Sequence, residues 1–152
     1  MPADRSYIGK TGEPVTMHIE RGKIREFAKA IKEDDPLYFD EEYARHEVGG
    51  IMSPVTFLQT VALWDDGRGR PRVPMDLKRA LHGEQEFEFL MPIFAGDSLT
   101  AVSRITDVFE KAGKRGGTMT FVVTDTEFTN QRGEVVARAR HVGIETGQVV
   151  KD

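Results

Sequence analysis

The chain contains no cysteine, which removes disulfides, thiol nucleophiles and zinc-thiolate sites together and suits a reducing compartment, so a cytoplasmic setting is expected. No apolar run approaches the ~20 residues that a bilayer crossing needs, and Met1–Lys10 has no apolar core of the kind a secretory signal carries. Neither secretion nor a membrane partner is expected. Positive charge is also in short supply: 21 Lys and Arg stand against 25 Asp and Glu, a formal net charge of −4. With no basic run to offset that average, nucleic acid is not an expected partner. G-x-S-x-G, a glycine-rich phosphate cradle and paired histidines at ligand spacing are all missing, so most familiar catalytic apparatus is absent and neither metal nor cofactor is expected.

What remains is 152 residues, 39% of them hydrophobic and 30% charged, the size and composition of one globular domain spanning 1–152. The apolar period changes midway. Between Glu20 and Glu33, Ile24, Phe27, Ala28 and Ile31 form one helical stripe, with Lys23, Arg25, Glu26, Lys29 and Lys32 opposite. Pro36 disfavours helical geometry at Asp35 and ends that helix. A short helix over Phe39–His46 stops at Gly49-Gly50. The segment Pro54–Asp65 is apolar nearly all round a helical wheel, with Val55, Phe57, Leu58, Val61, Ala62, Leu63 and Trp64, which predicts a buried helix. Ser53 suits its N-cap and Pro54 its first position.

After the turn-rich stretch Asp66–Pro74 the pattern alternates with period two. Phe87 and Phe89 oppose Glu84, Glu86 and Glu88 in a first long strand, followed by strands over about Ser98–Glu110, Gly117–Thr129 and Glu134–Thr146. Glycine-containing connections at Ala112–Gly116 and Asn130–Gly133 make these hairpins. With a further strand near Val15–Ile19, the chain reads as α+β: a long antiparallel sheet curved around the Pro54–Asp65 helix.

Two places carry candidate chemistry. Glu33, Asp34 and Asp35 crowd a helix C-terminus, where the macrodipole disfavours negative charge; the same acids also make an ordinary solvated turn. At the amino end of the apolar helix, Ser53, Val55 and Thr56 offer backbone N–H groups to a carbonyl oxygen that gains charge in a transition state, and equally make a plain helix start.

The segments Asp35-Pro36-Leu37-Tyr38, Gly49-Gly50-Ile51-Met52-Ser53-Pro54, Leu81-His82-Gly83-Glu84-Gln85 and Gly96-Asp97-Ser98-Leu99 follow one another as they do in MaoC-like dehydratases. The chain resembles that family over nearly its whole length, and is most similar to the half or subunit that lacks the catalytic pair in fatty-acid-synthase-type dehydratases. The resemblance implies the hot-dog fold and a hydro-lyase acting on (R)-3-hydroxyacyl and 2-enoyl thioesters of coenzyme A or acyl carrier protein. In the hydratases of that family, G-D-x-N-P-[LIV]-H supplies an aspartate and a histidine that hold and activate water. Aligned on the proline, Glu33 stands for the aspartate, with Asp34 one register away, and Tyr38 replaces the histidine. A phenol is about three pKa units too weak an acid to serve as a ready base near neutrality.

The resemblance therefore implies a component that holds the acyl chain and works with a subunit bearing the intact pair, as a heteromer or, failing that, a homodimer. His46 is a further candidate for the catalytic group, and His82, in the family-like Leu-His-Gly stretch, for substrate contact. Alternatives are a non-catalytic acyl-thioester-binding homodimer and an acyl thioesterase using the acids at Glu33–Asp35.

Overall fold

Period-two alternation in the second half of the chain produces the strands that dominate the molecule. The computed structural model describes residues 3–113 and 117–148. In it β1 (Val15–His18), β2 (Ala80–Phe89), β3 (Ser98–Ala112), β4 (Thr118–Thr129) and β5 (Val135–Glu145) form one antiparallel sheet in the order β1-β3-β4-β5-β2. The β4–β5 turn is held by Asn130, whose side-chain oxygen accepts from the N–H groups of Arg132 at 2.9 Å and Glu134 at 3.1 Å. Of the expected β3–β4 connection, Lys114, Arg115 and Gly116 lie outside the described residues.

The two sheet faces differ as the alternation requires. On the outer face Glu86, Arg140, Asp125 and Arg104 lie side by side across four strands, with Arg140 and Asp125 paired at 2.8 Å. The inner face carries Leu99, Ala101, Phe128 and Ala137, all buried, and the rest of the chain packs on it.

Two helices flank this face. The first, α1 (Arg21–Ala30), buries Ile24 and Ala28. Ile31, which the spacing placed in the same stripe, is the C-cap instead and stays 49% exposed. The second, α2 (Glu41–Val48), starts where the Asp40 carboxylate accepts from the Tyr43 N–H at 3.0 Å. It ends at Gly49, whose φ of 102° is the left-handed cap that glycine adopts without strain.

The apolar segment expected as a helix over Pro54–Asp65 is a 3-10 helix over Val55–Leu63. Nine residues is long for that conformation, and local chemistry favours it. Pro54, not Ser53, is the N-cap, and the Ser53 hydroxyl donates to the Pro54 carbonyl at 3.3 Å instead of capping an amide. The Thr60 hydroxyl donates to the Phe57 carbonyl, three residues back, at 2.7 Å. Only one side of the segment is sealed. Phe57 and Leu58 are 3% and 1% exposed, whereas Val55 and Leu63 are 59% and 86% exposed.

The loop after this segment is clasped by the N-terminal stretch. Glu13 N–H donates to the Arg68 carbonyl at 3.0 Å, Gly12 N–H to the Ser103 carbonyl at 2.9 Å. A Cβ on Gly12 would lie 1.9 Å from the Gly69 carbonyl oxygen. Gly12→Ala is therefore expected to lower stability by about 1–3 kcal/mol through overpacking, as read from the urea midpoint. Gly22→Ala, with nothing within 4 Å of its Cβ, is expected to raise stability by up to about 1 kcal/mol. Equal midpoints for the two variants would contradict the clasp.

Candidate functional site

The acidic turn that leaves α1 is built from its own carboxylates. Lys32 takes φ 59°, and Glu33 Oε1 then accepts from the N–H groups of Asp34 and Asp35, each at 3.0 Å. Asp35 Oδ1 accepts from Leu37 N–H at 2.9 Å, opening a 3-10 turn over Pro36–Tyr38. Glu33 thus holds backbone, and Asp34 faces solvent. Tyr38 is half-buried and packs against the main core. Its phenol is held above its usual pKa by burial and by the charges of Glu33 and Asp35. Tyr38 is protonated at neutral pH, able to donate a hydrogen bond, and ionises less readily than a free tyrosine.

His46 does not join it in an enclosed site: its side chain is 84% exposed and its Nδ1 lies 3.0 Å from the Glu47 carboxylate. Ser53 is buried, with its N–H on the Ile93 carbonyl at 2.8 Å and its hydroxyl turned to its own chain. Val55 and Thr56 are exposed, and among the described hydrogen bonds their N–H groups have no acceptor. They are available donors at the amino end of the segment.

Below the second half of the segment runs a cleft of about 190 Å³. Its roof is Leu58, Gln59, Val61 and Ala62, its end wall the loop carrying Arg70 and Arg72, and its floor the inner face of the sheet. Pairing of Gln85 and Thr124 with His141, and of Ser103 with Thr126, brings five polar side chains onto that floor. Ser103 and Thr126 hydroxyls bond at 2.8 Å, and Gln59 Nε2 donates to Gln85 Oε1 at 3.1 Å, tying roof to floor.

His141 is the electrostatic centre of the cleft. Arg70 Nη2 donates to its Nδ1 at 2.6 Å, and the ring of His82 meets it edge-on with centroids 4.4 Å apart. Burial, then the Arg70 charge, then His82 lower its pKa to about 4. The imidazole is neutral, and since Nδ1 accepts, the proton sits on Nε2. Asp65 holds the loop in place by accepting from the N–H groups of Gly67 at 2.9 Å, Gly69 at 2.7 Å and Arg70 at 3.2 Å. Those bonds, Gly69 foremost, keep its carboxyl below the usual carboxylate range.

None of Glu33, Asp34, Tyr38, His46, Ser53, Val55, Thr56 and His82 lines this cleft; His82 reaches it only through His141. The turn and the segment meet elsewhere, since Tyr38 packs on the core cluster that contains Phe57 and Leu58. A second, apolar groove of about 500 Å³ covers the open side of the segment, with Phe27, Phe57, Leu63 and Trp64. Among the described residues no group of three or more His, Asp or Glu is placed to hold a metal. Nor is any helix there long and apolar enough to cross a membrane.

Residues 6–139 match the family model described as "FAS1-like, dehydratase domain region". A UPF0336 protein of Saccharopolyspora erythraea is 35% identical over 151 residues, covering 97% of this chain and 94% of the relative. One from Thermobifida fusca is 35% identical over 143 residues, covering 90% and 89%. A chain of the C-terminally truncated HadBC (3R-hydroxyacyl-ACP dehydratase) complex from Mycobacterium tuberculosis superposes with a TM-score of 0.74 at 28% identity, covering 95% of this chain and 99% of that one. A structure described as a MaoC-like dehydratase gives a TM-score of 0.76 at 23% identity, over 93% of this chain and 42% of that one. The antiparallel sheet and central segment are thus the hot-dog arrangement.

The cleft's electrostatics can be checked by NMR. With its pKa near 4, His141 is expected to show no titration of its ring resonances between pH 5.5 and 8. Since the unfolded chain takes up a proton on that side chain near pH 6.5 and the folded one does not, the His141 contribution to stability falls as pH drops from 6.5 towards 4. Arg70→Gln removes one of the causes and is expected to move the midpoint upward. A wild-type midpoint near 6.5 would contradict the described environment.

Proposed function

The chain belongs to the FAS1-like dehydratase-region family, with the MaoC-like hot-dog fold, and from that premise we propose that it is the acyl-holding component of an (R)-3-hydroxyacyl-thioester dehydratase, or 2-enoyl-thioester hydratase. The observation that carries the proposal is Tyr38. It stands where active members of the family place a histidine, and its surroundings push the phenol away from the range of a neutral-pH base. The missing proton acceptor then comes from a partner subunit with an intact aspartate–histidine pair. Heteromers occur among proteins of this fold, in the HadBC and ChsH1-ChsH2 complexes of Mycobacterium tuberculosis.

In this proposal the thioester carbonyl of an acyl-CoA or acyl carrier protein lies at the N–H groups of Val55 and Thr56. Elimination removes a proton from the α-carbon and expels the β-hydroxyl as water, and the carbonyl oxygen carries enolate-like charge on the way. Two fixed donors there favour the transition state over the ground state. Surfaces that a partner would cover are present at both edges: β2 is an edge strand with Leu81 and Phe89 exposed, and Leu63 and Trp64 are exposed beside His18 of β1, the opposite edge. Unpaired strand edges and exposed apolar side chains of this kind favour association. A cytoplasmic setting fits the cysteine-free composition.

A second reading, a homodimer that binds acyl thioesters without turnover, draws on the same Tyr38. The thioesterase reading has less support, because Glu33 is engaged by the N–H groups of Asp34 and Asp35 and Asp34 faces solvent.

Crotonyl-CoA hydration decides between them. The chain alone is expected to hydrate it at background rate, and together with a pair-bearing MaoC-like subunit at a rate well above either protein alone. In the active assembly Val55→Pro, which deletes one N–H at a position where proline fits, is expected to lower kcat about 100-fold with little change in KM. Fast hydration by the chain alone, indifferent to Glu33→Gln, Asp34→Asn, Tyr38→Phe and His46→Ala, would overturn the proposal. Binding of acyl-CoA with no turnover in any combination would favour the homodimer.

A further inference from the structure

We infer that the cleft beneath the Val55–Leu63 segment is an anion pocket, and that the acyl group it receives ends in a carboxylate instead of an alkyl tail. The inference rests on the reading of the chain as an acyl-thioester binder and adds the chemistry of the acyl end.

The floor of the cleft is unlike the neighbouring core. Where Leu99 and Ala137 form a dry surface, the cleft floor sets Gln85, Ser103, Thr124, Thr126 and His141 beside Ala101, Phe128 and Ala139. An alkyl tail laid on those polar groups would strip water from them and return no hydrogen bond, which is unfavourable. The end wall supplies two guanidinium groups, Arg70 and Arg72. Neither takes part in an ion pair among the described residues.

The carboxylate of the same loop, Asp65, offsets part of the Arg70 charge but forms no ion pair with either guanidinium, its oxygens being taken by backbone N–H groups. His141 forms none either: it is a neutral acceptor for Arg70. Two like charges without an ion-pair partner among the described residues therefore stand at the end wall, in a chain whose net charge is −4. Burial and then the charge of Arg72 act against the protonated form of Arg70, with the Asp65 charge acting the other way, and a bound anion would add to the favourable side.

The pocket is also built in advance. Arg70 is positioned by His141 on one side and, through its own N–H, by Asp65 on the other. The loop is wedged against Gly12 and Val15. Fixed donors of this kind bind carboxylates with charge-assisted, directional hydrogen bonds.

An oxyanion in this pocket has two sources in a thioester ligand: the far end of the acyl chain and the phosphates of the carrier. Position favours the first. The roof residues Leu58 to Ala62 follow Val55 and Thr56 along the segment, which advances roughly 12 Å from Thr56 to Ala62 at the 3-10 rise, so an acyl chain that runs along the segment from a thioester at its amino end would bring its far terminus under the roof.

Calorimetric titration of the full chain with suberoyl-CoA, octanoyl-CoA and free CoA tests this, with Arg70→Gln and Arg72→Gln alongside. Suberoyl and octanoyl groups have equal carbon number and differ in the terminal group. The wild type is expected to bind suberoyl-CoA at least about 10-fold more tightly than octanoyl-CoA, and each variant to lose most of that preference while keeping its octanoyl-CoA affinity. Equal affinities for the two acyl-CoAs would overturn the inference and leave the thioester reading intact. Free CoA binding as tightly as suberoyl-CoA, weakened by the same variants, would assign the pocket to carrier phosphate and also overturn it.

Should no thioester bind, the thioester reading fails and free suberate decides the pocket separately. Perturbation of the His141 ring resonances by suberate, and not by 1-octanol, would uphold the anion pocket; no perturbation by suberate, or equal perturbation by 1-octanol, would overturn it.

Discussion

Seating Phe57 and Leu58 on the inner face of the sheet is the interaction on which the rest of the structure depends. At 3% and 1% exposure each contributes about 1.5–3 kcal/mol of burial. Together they anchor a nine-residue 3-10 segment whose local geometry is otherwise weakly favoured. Because the anchor lies near the start of the segment, the second half stands off the polar part of the sheet, and a cleft opens beneath it. Because only one side is seated, Val55, Leu63 and Trp64 remain exposed on the other. The cleft and the open apolar side are two consequences of one packing choice.

The acidic turn and the histidine cleft show how the chain distributes charge around that anchor. Glu33 and Asp35 accept backbone N–H groups, which builds the turn from its own carboxylates. Burial, and then their charge, hold the Tyr38 phenol above its usual pKa. Around His141 the balance is reversed, with Arg70 and burial keeping the imidazole unprotonated. The chain therefore fixes the protonation of both side chains away from the values at which proton transfer near neutrality is efficient. In the proposed role such a component would position the substrate while a partner subunit carried out proton transfer.

Much of the fold was legible in the sequence, since alternation of Phe and Glu along β2, and of apolar and polar residues along β3–β5, has only one structural meaning. The stripe through Ile24, Phe27 and Ala28 was equally legible. The Val55–Leu63 segment was not: side chains apolar on all sides look the same whether the segment is an α-helix enclosed by a sheet or a 3-10 helix leaning on one. In the structure Pro54 is the N-cap, and the Ser53 and Thr60 hydroxyls bond to the Pro54 and Phe57 carbonyls, local contacts that composition does not reveal.

The cleft was half legible. Strand parity puts His141 and Thr124 on the face of Ala137 and Phe128, so polar residues at inward positions were a usable signal. Contact of Arg70 with a ring 71 positions away was not, because loop placement depends on the close approach of Gly12 and Gly69.

The central claim, that acyl thioesters are held at and under the Val55–Leu63 segment, is tested most directly by amide hydrogen exchange with and without a non-hydrolysable acyl-CoA analogue. The account expects slower exchange at Val55 and Thr56 and through the loop that closes the cleft, 65–72, with the acidic turn little changed. Slowing confined to 33–48, or none along the segment at a ligand concentration shown to saturate the protein, would contradict it.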